Sequence, residues 1–527
     1  MKRLERETPE ISQVPENDNV PHRRRRLRRT AADHFGTVTM ILLLACSLVL
    51  FARLLATDLL GGKYIFLLLV GLLAVNAASV IVQVPLRRDK TGKLICGAVA
   101  ALLSAVMLWG MSGVSSAQEV LNRITGRLVE TDVIALIVTV DDPAKELADA
   151  VDYTFGYAEK LDEANTASLI QQLDKAMDGV KTRSYPSMTE LADALYDDEV
   201  DAIILNKGYI SLLEEREGYE DFSSQTRVIY EHTVTREIDV PDVEGDVSKP
   251  FVVYCSGTDA RENDLSAKSR SDTNILAVVN PKTHQVLLLN TPRDYYVPLH
   301  FNGEMDKLTH ASLYGIDEIM KTLDDLYGTN TSYYVRVNFG GLIDIVDALG
   351  GIDVESPMEF TTTYMDIPNE EGTHYEQRSY YFPEGKVHLT GREALAFSRE
   401  RYAFADGDNQ RGKNQMAVIK AIADRATSTA VLSNFQGFLQ SISDSFVTNL
   451  SYKDMSTLLK IYQKGGGWNI TTYSVTQGYG DTTQYTYTYG YAWVMWPDYD
   501  SVNTAKELIR QVMDGEVPTP PVEDDEY

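Results

Sequence analysis

The 527-residue sequence predicts an α/β protein in which three N-terminal transmembrane helices precede two α/β domains. Three apolar segments lie before residue 114, and each has about the roughly 20 residues that cross a bilayer. From residue 131 onwards, short apolar runs typical of buried strands alternate with amphipathic helical patterns. The charge changes between these regions, because residues 1–127 carry 17 Lys and Arg against 9 Asp and Glu, whereas the remaining 400 carry 32 against 67.

The predicted membrane spans lie within residues 35–113 and are Phe35–Ala56, Tyr64–Val84 and Leu94–Gly113. A basic tail over residues 1–34 precedes the first span, and four further Lys and Arg lie between the second and third. Under the positive-inside rule, the tail and this basic loop are cytoplasmic. Three crossings then place everything after about residue 114 outside the cell. We therefore expect a multi-pass protein of the cell membrane with a large extracellular C-terminal region.

The composition argues against two classes of function. An outer region this acidic is a poor partner for nucleic acid, whose binding depends on neutralising phosphates with Lys and Arg. The cysteines Cys46, Cys96 and Cys255 have neither the number nor the spacing of a disulfide framework or a zinc site. We expect no nucleic-acid partner and no zinc.

Residues 131–235 are predicted to form a small extracellular α/β accessory domain. Val133–Val140 is a continuous apolar run typical of a buried strand, and Pro143 opens a helical pattern that continues to about Lys160. Strand and helix patterns alternate further along, which predicts a parallel sheet. The domain shows no catalytic constellation, so we interpret it as a spacer or a partner-binding domain. Asp239–Pro250 is the predicted linker to the next domain.

The second outer domain is predicted over residues 251–515. Its predicted strands are Phe251–Ser256, Asn274–Val279, Val286–Asn290 and Tyr333–Asn338. Its predicted helices are Ala311–Tyr327, Phe339–Leu349, Arg392–Phe397, Lys413–Ala426 and two more near 433–446 and 453–463. The polar, Tyr-rich insertion Thr361–Phe382 is predicted to be a long loop. The acidic, proline-containing end, 516–527, is predicted to be disordered.

An arginine-rich stretch surrounds an Asp-Gly-Asp-Asn turn late in this domain. Arg399 and Arg401 are two residues apart, so in an extended segment they point the same way. Asp408, Arg411 and Gln415 follow at spacings of three and four, so they share one face of a helix. Arginine forks match the geometry of phosphate oxygens, and the stretch therefore predicts a phosphate site.

Further polar clusters lie at predicted strand ends. They are Ser256-Gly-Thr-Asp259, Arg270-Ser-Asp272-Thr273 and Thr291-Pro-Arg293-Asp294, with Lys307 as an additional candidate. Strand ends of an α/β sheet meet at one crevice. Taken singly, each cluster is also explained by a turn or by a surface ion pair worth about 0–1 kcal/mol. Together, arginines and carboxylates in one crevice suit a polyphosphate held by a hard divalent cation such as Mg²⁺.

In their order and spacing, these motifs resemble the LytR–CpsA–Psr family of cell-wall enzymes over about residues 251–430. The matching motifs are Arg-Ser-Asp-Thr, Pro-Arg-Asp, Lys-Leu-Thr-His-Ala, Gly-Gly-Ile-Asp-Val, Leu-Thr-Gly-Arg-Glu-Ala-Leu, and Arg-x-Arg with Asp-x-x-Arg-x-x-x-Gln. Three spans followed by an accessory domain are similar to the capsule-type members. The resemblance implies an α/β/α sandwich with a central mixed sheet and a long apolar pocket for a polyprenyl chain.

The resemblance also implies roles for the candidate residues. Asp259 and Asp272 would hold a Mg²⁺ that bridges a pyrophosphate. The pyrophosphate oxygens would be bound by Arg270, Arg293, Arg399, Arg401 and Arg411.

The remaining candidates would support this group. Asp408 would orient the arginines, and Gln415 would reach the phosphate head group. Lys307 would lie at the mouth of the pocket. Asp294 would either buttress Arg293 or transfer a proton.

The function implied by the resemblance is that of a Mg²⁺-dependent phosphotransferase. It would move a glycopolymer, either teichoic acid or capsular polysaccharide, from a polyprenyl-pyrophosphate carrier to peptidoglycan. ATP is not expected as the donor, because the chain has no Gly-x-x-x-x-Gly-Lys-Ser/Thr loop. Three alternatives remain open: a pyrophosphatase that uses water as acceptor, a non-enzymatic regulator of the transcriptional-attenuator type, and a lipid-binding module without turnover.

Overall fold

The structure is a computed structural model with two compact units. It describes residues 31–56, 62–83, 90–125, 129–237, 246–258, 265, 268–369, 374–405, 407–426, 442, 444–463 and 467–521. The helical unit comprises Met1–Phe51 with Leu67–Trp109, and the large unit comprises Ala52–Phe66 with Gly110–Tyr527.

Three long helices carry the predicted membrane spans. They are α1 (Ala31–Ala56), α2 (Gly62–Gln83) and α3 (Lys90–Thr125), and each is long and apolar enough to cross a bilayer. Within the helical unit, Asn76 Nδ2 donates to Ser47 Oγ at 2.9 Å and so links α2 to α1. Asp33 and Lys93 form an ion pair between α1 and α3. Buried polar pairs of this kind satisfy groups that would otherwise face hydrocarbon.

The first lobe of the large unit is built on a five-stranded sheet in the order β3-β2-β4-β1-β5. Its strands are β1 (Val129–Thr139), β2 (Thr154–Ala158), β3 (Lys181–Tyr185), β4 (Ala202–Asn206) and β5 (Thr226–Glu237). Its helices are α4 (Glu163–Met177), α5 (Met188–Tyr196), α6 (Ile210–Glu214) and α7 (Phe222–Gln225).

This sheet is mixed, and two predictions for the lobe were wrong. β2 pairs parallel with β3 and β4, but β1 pairs antiparallel with β4 and with the unpredicted strand β5. The helix predicted from Pro143 to about Lys160 is reduced to a 3-10 turn at Leu147–Ala150, and β2 forms in its second half. Aromatic residues on either side of Gly156 favour a strand, and glycine is unfavourable inside a helix. A Cβ at Gly156 would come within 2.8 Å of Leu191, so glycine also lets α5 pack closely on the strand.

The second lobe is larger and begins near residue 246. Its strands are β6 (Phe251–Thr258), β7 (Ser271–Asn280), β8 (Gln285–Asn290), β9 (Tyr296–Pro298), β10 (Met305–Lys307), β11 (Tyr333–Asn338), β12 (Ile352–Ser356), β13 (Phe360–Thr361), β14 (Met365–Pro368), β15 (Tyr375–Arg378), β16 (Tyr381–Phe382), β17 (Gly385–Leu389), β18 (Phe446–Thr448), β19 (Asn469–Ser474), β20 (Gln477–Thr486) and β21 (Gly490–Pro497). Its helices are α8 (Leu308–Ala311), α9 (Ile316–Tyr327), α10 (Phe339–Ala348), α11 (Gly391–Arg399), α12 (Asp408–Ala426), α13 (Tyr452–Gln463) and α14 (Tyr499–Asp514).

The central sheet of this lobe has six strands in the order β18-β11-β6-β7-β8-β19 and contains both parallel and antiparallel pairs. Helices α9 and α14 contribute to the core on one face, and α12 contributes to the core on the other. Alternate residues of β6 serve the two cores, with Tyr254 in the first and Val253 in the second. This arrangement confirms the α/β/α sandwich with a mixed sheet.

One predicted element of this lobe differs from the structure, and a second is described only at its end. The insertion Thr361–Phe382 is not one long loop, because its described residues form the strand pairs β13–β16 and β14–β15. Its apolar residues Ile367 and Phe382 are buried in a third core, which ties the insertion to α11 and α12. The helix predicted near 433–446 lies mostly outside the described residues, and its last residue belongs to β18.

The predicted linker and tail are described only in part. Residues 238–245 of the linker region and 522–527 of the tail lie outside the described residues. Where the tail is described, it remains attached to the fold. The backbone N–H of Glu516 donates to the carbonyl of Gln511 at 2.8 Å, and that of Thr519 donates to the Gln511 side chain at 3.0 Å.

Buried ion pairs join the two lobes. Glu130 at the start of β1 is fully buried, and its two oxygens bind Arg336 of the second lobe at 2.7 Å and Arg236 of β5 at 2.6 Å. Arg236 also binds Asp317 of the second lobe at 2.6 Å. Charges this deeply buried are tolerated only when they are paired. The pairing therefore fixes how the first lobe sits on the second.

Candidate active site

A cavity of about 730 Å³ lies in the second lobe, beside β6, β7 and β11 and between helices α10, α11 and α12. One part of its wall is polar and comes from Asp272, Arg293, Arg399, Arg401, Arg411 and Gln415. Another part is apolar and comes from Val335, Val337, Phe339, Leu342, Ile345, Leu395, Val418, Ile419, Ile422, Ile442 and Phe446. The cavity therefore offers a charged region and a hydrocarbon-lined region to a single ligand.

The end of α11 brings two arginines to the cavity. Arg399 is the last residue of the helix, and its Nη1 donates to the backbone carbonyl of Asp366 at 2.7 Å. Its guanidinium carbon also lies 4.3 Å from the centre of the Phe339 ring. Arg401 follows beyond the helix end and lies over the ring of Tyr402 at 4.6 Å. Both arginines line the cavity, and these contacts with the Asp366 carbonyl and the two aromatic rings orient their guanidinium groups.

The first turns of α12 supply the next pair of polar groups. Asp408 opens the helix and forms an ion pair with Arg411. Arg411 and Gln415 both line the cavity, as their spacing on one helix face predicts. A Cβ at Gly412 would come within 2.0 Å of the Asn290 side chain, so glycine lets α12 approach the end of β8. Burial lowers the pKa of Arg411, and the charge of Asp408 opposes that shift.

Asp272 and Arg293 form an ion pair where the ends of β7 and β8 meet, with Arg293 Nη1 2.7 Å from Asp272 Oδ1. Burial acts to raise the pKa of Asp272, but Arg293, Arg270 and Arg411 outweigh it and hold that pKa at about 2. The Asp272 carboxylate in turn raises the pKa of Arg293. Both groups are therefore charged at neutral pH.

Three predicted site residues lie beside the cavity rather than on its wall. Asp294 Oδ2 is 3.6 Å from Arg293 Nε, and its Oδ1 accepts from Lys307 Nζ at 2.9 Å, which is the geometry of a buttress. The prediction that Lys307 lies at the cavity mouth is corrected, because Lys307 lines a separate groove. Arg270 Nη1 lies 2.5 Å from Glu215 of the first lobe.

Of the two predicted metal ligands, Asp272 lies on the cavity wall and Asp259 lies outside the described residues. No cluster of three His, Cys, Asp or Glu able to hold a metal occurs in the part of the chain that the structure describes. Asp272 is nevertheless ionised on the cavity wall. Thr258, which also lines the cavity, has a buried hydroxyl with no hydrogen-bond partner among the described residues. Because Mg²⁺ takes one or two carboxylates together with phosphate oxygens and waters, these residues fit a Mg²⁺ that arrives with a phosphate ligand.

Comparison with known proteins identifies the family. The sequence model of the LytR_cpsA_psr family matches residues 218–504, which is more than half of the chain. The protein belongs to the LytR–CpsA–Psr family.

Several relatives have been named for their activity. A polyisoprenyl-teichoic acid–peptidoglycan teichoic acid transferase TagU of Enterococcus faecalis is 34% identical over 220 residues, covering 42% of this chain and 68% of the relative. A protein of the same name from Bacillus cereus is 33% identical over 217 residues, covering 41% of this chain and 66% of the relative. The crystal structure of B. subtilis TagV is 27% identical, with a TM-score of 0.41 and coverage of 51% of this chain and 98% of TagV. The chain therefore spans about two thirds of the length of these TagU relatives.

Sequence reasoning missed Glu400, which organises the arginines of this LytR–CpsA–Psr protein. The side chain is fully buried, and its Oε1 accepts hydrogen bonds from the backbone N–H groups of Arg401, Tyr402 and Ala403 at 2.9, 2.6 and 3.0 Å. Its Oε2 accepts from the backbone N–H and the hydroxyl of Thr363 at 2.7 and 3.2 Å. In the sequence, Glu400 lies between two arginines and looks like part of a charged surface. Only the structure shows that it is buried and binds backbone groups.

The insertion 361–382 also contributes to the site, which its prediction as a loop did not anticipate. Thr363, Tyr364, Met365, Asp366 and Gln377 all line the cavity. The strand pairs of the insertion therefore place a rim next to the arginines. A usable signal was the pair of Tyr- and Thr-containing segments, because these residue types favour paired strands.

Proposed function

We propose that this protein is a membrane-anchored phosphotransferase that moves a glycopolymer from a polyprenyl-pyrophosphate carrier to peptidoglycan outside the cell. The observation that carries the proposal is the cavity, which combines four arginines with an extended apolar wall. A polyprenyl pyrophosphate has the same division between an anionic head and a hydrocarbon tail. The names of the TagU relatives support teichoic acid as one polymer class, and capsular polysaccharide is the other class that we propose.

Charge neutralisation is the main task of the cavity residues in this proposal. Arg293, Arg399, Arg401 and Arg411 would bind the pyrophosphate oxygens, and Gln415 would donate to the same group. Phosphoryl transfer needs positioning and charge stabilisation more than covalent help from the protein. The buried pairs of Arg293 with Asp272 and of Arg411 with Asp408 hold two of these guanidinium groups in place.

The reaction that we propose is a displacement at phosphorus. A sugar hydroxyl oxygen of peptidoglycan attacks the phosphorus that carries the glycopolymer, and a new P–O ester bond forms. The bond from that phosphorus to the bridging oxygen breaks, so polyprenyl phosphate leaves with the electron pair. The hydroxyl proton is released to water or to the leaving phosphate.

Mg²⁺ is part of the proposal. Asp272 would hold it together with Asp259, and the ion would supply additional positive charge to the pyrophosphate oxygens. The ionised state of Asp272 and the buried hydroxyl of Thr258, which has no hydrogen-bond partner among the described residues, support this assignment.

The test is polymer transfer by the full chain in lipid nanodiscs. A labelled polyprenyl-pyrophosphate donor is supplied with and without peptidoglycan, and the products are separated by mass. We expect Arg399→Ala and Arg401→Ala each to lower transfer about 100-fold, the loss seen when one stabilising donor is removed. Arg510→Ala is the matched control, because Arg510 is a half-exposed surface arginine paired with Glu507.

Two outcomes would contradict the proposal. Full transfer by the double variant of Arg399 and Arg401 would separate the cavity from the reaction. Release of the labelled polymer to water alone, unchanged by peptidoglycan, would make the protein a pyrophosphatase.

A further inference from the structure

A second groove lies where the two lobes meet. It has a volume of about 710 Å³ and combines residues of α5 and α6 with the β20–β21 hairpin. Its lining, which we call the aromatic groove, is Thr189, Asp193, Leu212, Glu215, Arg216, Glu217, Tyr219, Lys307, His310, Thr483, Tyr489, Tyr491, Ala492 and Trp493. None of these residues lines the active-site cavity.

The hairpin presents aromatic rings to this groove. Tyr491 and Trp493 alternate with buried Ala492 and Val494, so both rings lie on the outward face of β21. They are 72% and 39% exposed. Tyr485 sits opposite Tyr491 in the strand register, and the two ring centres are 5.6 Å apart. Exposed aromatic patches rimmed by polar groups mark binding sites more often than inert surface.

The groove is lined by more acidic than basic side chains. Asp193, Glu215 and Glu217 supply three carboxylates, against two cations from Lys and Arg. Both cations already have partners within the protein. Lys307 binds Asp294 at 2.9 Å, and the guanidinium carbon of Arg216 lies 4.1 Å from the centre of the Tyr489 ring.

We propose that the aromatic groove binds a neutral saccharide chain, which under the proposed function is the glycan backbone of the acceptor. The apolar C–H faces of sugar rings stack on exposed aromatic side chains, and their hydroxyls donate to carboxylates. A polyanionic polymer such as a teichoic acid does not suit this groove, because Glu215 is already paired with Arg270, both lining cations have partners within the protein, and the carboxylates of Asp193 and Glu217 remain. The charge balance therefore favours the acceptor over the transferred polymer.

The groove and the active site share a wall of ion pairs. Lys307 lines the groove and binds Asp294, and Asp294 contacts Arg293, which lines the cavity. Glu215 of the first lobe, which also lines the groove, binds Arg270 at 2.5 Å. The contacting side chains of Lys307, Asp294 and Arg293 thus connect the groove to the cavity. In this proposal the first lobe functions in acceptor binding, because its residues form one side of the groove.

The experiment measures saccharide binding separately from turnover. Chitotetraose, a neutral tetramer of N-acetylglucosamine, is titrated calorimetrically into the full chain in nanodiscs, and a poly(glycerol phosphate) of similar length is the second probe. We expect Trp493→Ala to weaken chitotetraose binding about tenfold and Trp493→Phe to restore most of it, because a ring is what stacks. Tyr499→Ala is the matched control, since Tyr499 is 61% exposed on α14 and does not line the groove.

A transfer assay then tests the link to the acceptor. Trp493→Ala should raise the KM for peptidoglycan and leave binding of the polyprenyl-pyrophosphate donor unchanged. Chitotetraose binding that Trp493→Ala leaves intact would overturn the proposal, and so would preferential binding of poly(glycerol phosphate). Because saccharide binding is measured without turnover, it can be judged even if the protein proves not to be a transferase.

Discussion

The carboxylate of Glu400 is the strongest test of how the arginines are held. It accepts five hydrogen bonds in a fully buried position, three from the turn at 401–403 and two from Thr363 of the insertion. Glu400→Gln keeps the size of the side chain and removes its charge. It also turns one acceptor atom into a donor.

The magnitude follows from these five bonds. If the amide nitrogen takes the place of Oε2, the N–H of Thr363 loses its acceptor, which costs about 1–3 kcal/mol. The three bonds to Oε1 change from charge-assisted to neutral, which roughly halves their strength and removes about 1–3 kcal/mol more. We therefore expect a loss of about 2–6 kcal/mol in the free energy that holds the 401–403 turn against the insertion.

The assay combines local and catalytic measurements. Hydrogen–deuterium exchange should show faster exchange at the amides of Thr363 and of residues 401–403. Transfer should fall about tenfold or more, because Arg401 is no longer fixed at the cavity.

Glu393→Gln is the matched control, since Glu393 belongs to the exposed capping box at the opposite end of the same helix. The reasoning would be refuted if Glu400→Gln showed unchanged exchange at these amides and the same transfer rate as Glu393→Gln.

Two further predictions concern the charges around the site. Burial acts to raise the pKa of Asp294, but the charges of Arg293 and Lys307 outweigh burial and lower that pKa. The ionised carboxylate therefore stabilises the fold at pH values above 3.8, the ordinary pKa of an aspartate, and this stabilisation is lost as the pH falls through the lowered pKa. Asp294→Asn should cost about 3 kcal/mol at pH 7 by denaturant titration, with a smaller difference from wild type at pH 3; an equal difference at both pH values would contradict it. Removing divalent cations with EDTA should abolish transfer, and added Mg²⁺ should restore it; full transfer in EDTA would remove Mg²⁺ from the proposed mechanism.

The sequence was most informative where one rule of local geometry decides the outcome. Arg411 and Gln415 line the cavity together because both lie on one face of α12, which their spacing alone predicts. Asp272 and Arg293 meet because they lie at adjacent ends of paired strands. Periodicity and strand order therefore predicted much of the charged wall.

Long-range contacts were beyond this reasoning. Glu400 sits between two arginines in the sequence, but its partner Thr363 comes from an insertion 37 residues earlier. Lys307 faces the aromatic groove because β10 pairs with β9, and neither short strand has a distinctive pattern. Strand β5 of the first lobe was not predicted, because most of its residues alternate between half-buried and exposed positions and it has no continuous apolar run.

The Glu130 pairing has a consequence for how the chain is made. Its partner Arg236 belongs to the first lobe, but its other partner, Arg336, is synthesised 206 residues after Glu130, so the first lobe is complete before the second of the two guanidinium groups exists. At about 5–20 residues per second, that interval is roughly 10–40 s. During this time the Glu130 oxygen that will bind Arg336 lacks this partner, which leaves the start of β1 open to water on that side. We expect the newly made first lobe to need protection from proteases until the second lobe has folded onto it.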